Sequence, residues 1–176
     1  EETLVQAGSA LRWLVPASEP GTAWRSRTFN DAAWTAGTAG IGYDTGTDYD
    51  SLISTNVQAS MLDVTAALYV RLPFTVADAS KVGRLTLRAK YEDGFGAWLN
   101  GAFAVSHGAP DTFDASSTAT SSRDEDAAVT FRADDLASVR TNVVNGTNVL
   151  AVQVLNESAS SSDLLFVPDS CGHPEA

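Results

Sequence analysis

Apolar and polar residues alternate along several short stretches of this chain, and such alternation predicts β-strands. The clearest examples are residues 67–74, 84–90 and 147–155. A period of two places successive side chains on opposite faces of a sheet. Further short strands are predicted at residues 10–15, 129–131 and 163–167.

The strongest local signal is Asn100-Gly101, which lies within residues 91–105. Asn-Gly fits a two-residue type I′ turn, because both central residues of that turn take a positive φ. The stretch is therefore predicted to form a β-hairpin. Its expected opposite pairs are Leu99 with Ala102, Trp98 with Phe103, and Gly96 with Val105. One face would carry Phe95, Ala97, Leu99, Ala102 and Ala104, and the other Trp98, Phe103 and Val105.

The stretches between these strands have the composition of loops. Residues 37–50 are rich in Gly and Asp, while residues 106–126 and 157–162 are rich in Ser, Thr or Asp. Trp24, Phe29 and Trp34 follow no regular period, which indicates an irregular, packed segment with a structural role. The only helix expected is one or two turns within residues 133–139.

Short strands, many turns and almost no helix predict an all-β fold, an antiparallel β-sandwich of the jelly-roll type. The 176 residues suit one domain. We assign residues 1–168 to that domain and residues 169–176 to a polar tail or inter-domain linker. Cys171 is the single cysteine, so an internal disulfide is impossible, and its position in the tail argues against a nucleophile.

The charge balance narrows the function. The chain has 11 Lys and Arg against 22 Asp and Glu, a formal net charge of -11. This charge argues against nucleic acid and anionic membranes as partners, because both would repel the protein. It is compatible with cations or with neutral ligands such as sugars. Abundant Ser, Thr, Ala, Gly and Asp with only two Lys is the composition expected of a secreted or extracellular protein.

Several motifs in a fixed order resemble a known family. They are Trp24-Arg25, Phe29-Asn30-Asp31-Ala32-Ala33-Trp34, Gly40-Ile41-Gly42-Tyr43-Asp44, and residues 71–74, 91–101, 147–154 and 161–164. Together they resemble a galactose-binding-like jelly-roll domain, an accessory module of large secreted bacterial proteins. A related domain occurs in β-galactosidase-type glycoside hydrolases. The resemblance extends from about Trp13 to Phe166.

The resemblance implies a carbohydrate-binding-module-like function, often with structural calcium, although binding is not a property of the fold itself. The family's hairpin typically reads Tyr-Asp-Asp-Gly, three variable residues, then Tyr-Leu-Asn-Gly. This chain departs from it at Glu92 and Trp98, and it has Phe103 where a polar residue is common.

Those departures suggest a ligand site on the hairpin. Trp98 and Phe103 could form an aromatic platform for a pyranose ring, with Tyr91, Asp93 and His107 beside it. The alternative is that the two aromatic residues belong to a second core or lie under the 106–126 loop. Asp93 could equally shape the turn.

A metal site is suggested by Asp44, Asp48 and Asp50, which lie close together in a Gly-rich loop. Carboxylate oxygens at such spacing can bind calcium, although the pattern is not an EF-hand. A solvated acidic loop is the alternative.

The sequence gives little support for catalysis. His107 and His173 are the only histidines, and neither belongs to a metal-binding spacing. We therefore expect no enzyme, but a module that holds a neighbouring domain near a polysaccharide or oligosaccharide. The alternative is a structural or protein-interaction module that packs against a catalytic domain without binding a glycan.

Overall fold

The computed structural model describes residues 2–174, and within them the chain forms twelve strands. Their bounds are β1 Glu2–Val5, β2 Ala10–Leu14, β3 Thr35–Thr38, β4 Ile41–Asp44, β5 Thr55–Asn56, β6 Ala67–Val76, β7 Val82–Glu92, β8 Gly94–Leu99, β9 Ala102–His107, β10 Arg132–Asp135, β11 Gly146–Leu155 and β12 Asp163–Pro174. Two four-residue helices, α1 Gln58–Met61 and α2 Glu125–Ala128, and short 3-10 turns complete the described part. No helix there is long and apolar enough to cross a membrane.

The strands make two sheets. The first has the order β10-β7-β12-β4-β5, and β1 pairs with the C-terminal half of β12. The second has the order β3-β2-β6-β11-β8-β9. Among the described strands only β4 and β5 pair in parallel. The all-β, antiparallel β-sandwich predicted from the sequence is confirmed.

The main core lies between the sheets and explains the alternating pattern. Leu68, Val70 and Leu72 of β6 pack there with Leu85 and Leu87 of β7. The stretches predicted as strands at 67–74, 84–90 and 147–155 all lie inside β6, β7 and β11. Burial of these branched side chains is the main driving force for the sandwich.

A clamp holds the irregular segment around Trp24 against the outer face of the second sheet. The buried Arg71 pairs with Asp31, with 2.7 Å between Nε and Oδ2. It also donates to the carbonyl oxygens of Trp24, Ser26 and Phe29. Trp24 and Trp34 therefore belong to a second apolar cluster outside the main core, which agrees with their predicted structural role.

Three local predictions were wrong. Residues 129–131 connect α2 to β10 without belonging to a strand, since β10 begins at Arg132. Residues 133–139 were expected to be helical, but 133–135 belong to β10 and pair with β7. Residues 37–50 are not all loop, since β3 and β4 occupy most of 37–44 and meet at Gly40, whose φ is 94°.

The expected tail also differs from the structure. Residues 169–174 continue β12, pairing with β7 on one side, while residues 170–172 pair with β1 on the other. Cys171 is consequently buried inside the first sheet. Residues 175 and 176 lie outside the described residues.

The hairpin forms at the predicted turn, with φ of 51° at Asn100 and 95° at Gly101. Leu99 faces Ala102 and Trp98 faces Phe103, as predicted. The pairing then shifts by one residue, so that Val105 faces Ala97 instead of Gly96. This bulge turns Val105 toward the main core, contrary to the predicted face.

Candidate functional site

A cleft of about 520 Å³ opens on the outer face of the second sheet. The β8–β9 hairpin forms one wall, the 3-10 turn Ala23–Arg25 a second, and the loop after β9 a third. Its volume lies within the range of small-molecule sites. The main lining residues are Arg25, Trp98, Phe103, Ser106, Asp111 and Phe113.

Trp98 forms the buried floor of this cleft and is only 4% exposed. Phe113 packs edge-on against it with ring centroids 5.0 Å apart, and Trp24 lies at 5.6 Å. The guanidinium carbon of Arg25 lies 4.0 Å from the centre of the Trp98 ring. The platform predicted from Trp98 and Phe103 therefore needs correction, because other groups cover Trp98. One of these groups is Phe113 of the 106–126 loop, and burial under that loop was the alternative interpretation for Trp98.

Phe103 is the exposed aromatic residue at the rim. Its side chain is 53% exposed, and its ring lies 5.9 Å from that of Trp98 in an edge-to-face arrangement. Phe113 occupies a notch above Gly96, where a Cβ atom would come within 2.5 Å of the Phe113 ring. The hairpin thus exposes the ring of Phe103. The ring of Phe113 packs against the hairpin in the space that the absence of a side chain at Gly96 leaves.

Tyr91 and Asp93 lie away from the cleft and serve the scaffold. Tyr91 is buried; its hydroxyl accepts a hydrogen bond from Arg123 at 2.9 Å, and burial raises its pKa. Asp93 is buried too, and its carboxylate accepts from the backbone N–H groups of Arg123 and Glu157, both at 2.9 Å. Both residues fix loops at the end of the sandwich and do not line the cleft, and a ligand contact for them stays a prediction.

His107 also has a structural position. Its Nε2 lies 2.9 Å from Oδ1 of Asp134 and 3.0 Å from Nε of Arg132. Because β9 and β10 are edge strands of different sheets, this contact joins the two sheets along one edge of the sandwich. His107 is thus occupied by protein groups and does not line the cleft.

The three aspartates proposed for calcium do not converge. Asp44 accepts hydrogen bonds from the backbone N–H groups of Gly46 at 2.6 Å and Tyr49 at 3.0 Å, and so shapes the loop. Asp48 and Asp50 are exposed. Within residues 2–174 no group of three or more His, Cys, Asp or Glu side chains is arranged to hold a metal ion. Calcium binding stays a prediction.

The structure reveals a buried acidic group that the sequence did not indicate. The hydroxyl of Tyr49 lies 2.6 Å from Oε2 of Glu125 and 3.4 Å from Oε2 of Glu92. Burial, followed by the neighbouring Asp93, raises the pKa of Glu92 to about 9, so this carboxyl group is neutral at pH 7. Burial likewise raises the pKa of Asp163 to about 6. The Tyr49 hydroxyl thus links Glu125 of α2 to Glu92 of β7 in the first sheet.

Arg25 and Phe113 are the cleft residues that sequence reasoning missed. Arg25 had a usable signal, because it follows Trp24 within a motif that the family resemblance singled out. Phe113 had a weaker one, as the only aromatic residue in the polar stretch 106–126.

Comparisons with known proteins show the fold of this chain. No family model matches the sequence, and no curated protein does. Among solved structures, a β-glycosidase from Bacteroides vulgatus matches 95% of this chain and 20% of its own, with a TM-score of 0.54 and 14% identity. A β-glucuronidase from Bacteroides uniformis matches 93% of this chain and 18% of its own, with a TM-score of 0.53 and 14% identity. A β-glucuronidase from an uncultured Clostridium species matches 97% and 29%, with a TM-score of 0.53 and 13% identity.

The chain therefore has the fold of a domain that makes up a small part of larger glycosidases. It spans about a fifth of the length of the first two of these neighbours. At these identities the likeness concerns the fold alone.

Proposed function

We propose that this chain is a non-catalytic carbohydrate-binding accessory domain of a larger secreted protein. Its cleft beside Phe103 would hold a glycan and keep a neighbouring domain close to a polysaccharide. The observation that carries the proposal is the exposed face of Phe103 beside a cleft with polar groups from Arg25, Ser106 and Asp111. Sugar rings bind in this manner, with C–H groups against an aromatic face and hydroxyl groups against a few polar side chains.

The non-catalytic part of the proposal is supported by the hydrogen bonds that the titratable groups make within the protein. His107 is held by Asp134 and Arg132, and Asp114 accepts hydrogen bonds from Ser116. Among the described residues that line the cleft, Asp111 is the single carboxylate. Most glycosidases use a pair of carboxyl groups, one on each side of the scissile bond.

Affinity electrophoresis in gels that contain neutral and acidic polysaccharides tests the proposal. We expect the protein to be retarded by at least one polysaccharide, and Phe103→Ala to migrate as it does in the absence of glycan. Val64→Ala is the matched control, because Val64 is an exposed apolar residue outside the cleft. Retardation in no gel would contradict the function, while equal retardation of Phe103→Ala would contradict this site.

A second candidate function is the packing of this domain against a neighbouring catalytic domain. Phe131 favours it, since this exposed residue precedes β10 at the edge of the first sheet. Lys90 and Arg88, the latter paired with Asp169, place cationic groups 4.9 Å and 5.1 Å from its ring. Exposed aromatic residues of this kind are enriched at protein interfaces. Phe131→Ala should leave glycan binding unchanged.

The secreted location also stays a proposal from composition.

A further inference from the structure

Arg25 is a partly buried cation that no carboxylate within residues 2–174 contacts as an ion pair. Its guanidinium group lies over the ring of Trp98. Its Nε is buried and has no acceptor within that range of residues. A charged group that loses water without gaining a hydrogen-bond partner is unfavourable. The terminal guanidinium nitrogens of Arg25 are not among the buried atoms without a partner, so they are the donors that a ligand in the cleft can reach.

The acidic neighbours of Arg25 do not provide that partner. Both carboxylate oxygens of Glu19 accept from backbone N–H groups, Oε1 from Gly21 at 2.9 Å and Oε2 from Ala115 at 2.6 Å. Asp111, the carboxylate that lines the cleft, forms no ion pair with Arg25. Burial lowers the pKa of Arg25, and the nearby charge of Glu19 offsets only part of that effect.

The position of the cation relative to Phe103 restricts the ligand. Both residues line the same cleft and contact Trp98. The guanidinium carbon of Arg25 lies 4.0 Å from the centre of the Trp98 ring, and the centre of the Phe103 ring lies 5.9 Å from it. A ligand that satisfies both needs an apolar ring face and an anionic group on that ring. A free inorganic anion would use only Arg25, and a neutral sugar would leave its charge uncompensated.

We propose, on the basis of the carbohydrate-binding function above, that the cleft selects an acidic sugar whose pyranose ring carries a carboxylate. Arg25 donates to that carboxylate, and the C–H face of the ring rests on Phe103. The planar guanidinium matches a carboxylate in geometry as well as charge, and such charge-assisted bonds are stronger than neutral ones.

The net charge of the protein limits which acidic glycans bind well. A formal charge of -11 repels long polyanions, especially at low salt. Screening restricts that repulsion to about 8 Å at physiological ionic strength, while the contact with Arg25 is shorter. We therefore expect single uronate residues or short oligosaccharides to bind better, per carboxylate, than long polyuronates.

Isothermal titration calorimetry at physiological ionic strength tests the proposal with matched ligands. The probes are methyl glucuronide, methyl galacturonide and the methyl ester of each, which removes the charge and keeps the ring. For at least one pair we expect the acid to bind about tenfold more tightly than its ester, a difference typical of one charge-assisted hydrogen bond.

Variants of Arg25 locate the selectivity. Arg25→Gln should bind acid and ester alike, and Arg25→Lys should retain part of the preference because it keeps the charge. Arg27→Gln is the control, since Arg27 is a neighbouring exposed arginine outside the cleft. A melting curve of each variant shows whether loss of the contact with Trp98 has unfolded the protein. If Arg25→Gln is unfolded, the reduced preference of Arg25→Lys for the acid tests the role of Arg25.

The outcomes separate this inference from the function on which it rests. If wild-type protein binds acid and ester equally, the acidic-sugar inference is wrong and carbohydrate binding stands. If Arg25→Gln still prefers the acid, Arg25 is not the anchor. If no acid, ester or polysaccharide binds, the proposed function fails together with the inference.

Discussion

Replacing Glu92 by Gln should remove a pH dependence from the stability of this protein. Glu92 is only 4% exposed, and its pKa is raised from the usual value of 4.5 to about 9, first by burial and then by Asp93. The folded state therefore holds a proton that the unfolded state releases above pH 4.5. The stabilisation due to this proton is complete at low pH and is lost progressively as the pH rises toward 9.

The size of the effect follows from the shift. Each unit of pKa difference corresponds to about 1.4 kcal/mol, so wild-type stability should fall with at most that slope per pH unit. Asp163, with a pKa of about 6, contributes a slope of the same sign below that pH. The interval from pH 7 to 8.5 consequently reports mainly on Glu92. Gln has the shape of Glu and is always neutral. At pH 7 the free energy of unfolding of Glu92→Gln should therefore exceed that of wild type by up to about 3 kcal/mol.

Urea unfolding followed by tryptophan fluorescence at pH 7, 7.5, 8 and 8.5 measures this slope. Wild type should lose stability across the series, whereas Glu92→Gln should stay nearly constant. Asp50→Asn serves as the control, because Asp50 is an exposed carboxylate in the same acidic loop as Tyr49 and its variant should follow wild type. Parallel slopes for wild type and Glu92→Gln would refute the argument that Glu92 is protonated in the folded state.

Two further predictions concern the clamp and the acidic loop. Arg71→Leu leaves Asp31 and the carbonyl oxygens around Trp24 without a partner. It should lower the free energy of unfolding by about 3–5 kcal/mol. The control Arg84→Leu removes an exposed arginine and should lower it by less than about 1 kcal/mol. Equal losses in urea unfolding would contradict the clamp. If the loop with Asp48 binds calcium, EGTA should lower the melting temperature and Asp48→Asn should abolish that change; an unaltered melting temperature in wild type would exclude a stabilising ion.

The sequence predicted those parts of the fold that depend on local signals. The alternating apolar residues of β6, β7 and β11 mark strands because each must bury one face in the core. Asn100-Gly101 marks a turn because both residues have a positive φ there. These signals are enough for the fold class and for the tip of the hairpin.

Errors occurred where pairing with a distant strand decides the structure. Strand β10 contains Arg132, Asp134 and Asp135 and has no apolar alternation, and it forms because β7 offers a free edge. Residues 169–174 are polar, yet β7 is long enough to pair with all of them. The bulge beside Ala104 has no glycine to reveal it.

At the hairpin the sequence predicted which residues are neighbours but not which of them are exposed. The Asn-Gly turn determines that Trp98 and Phe103 are neighbours, and this was correct. Which of them meets solvent depends on Arg25 and Phe113, which come from segments distant in sequence. The sequence pattern within the hairpin contains no information about whether Arg25 and Phe113 pack on it.

Chemical-shift mapping of the ¹⁵N-labelled protein during titration with a bound glycan tests the central claim most directly. We predict that the largest shifts fall on Phe103, Ser106 and Asp111, with the side-chain Nε–H of Arg25 also perturbed, and that Phe103→Ala loses them. Shifts confined to the region of Phe131, or no shifts with any glycan of the acidic and neutral panel, would contradict the claim that this cleft binds carbohydrate.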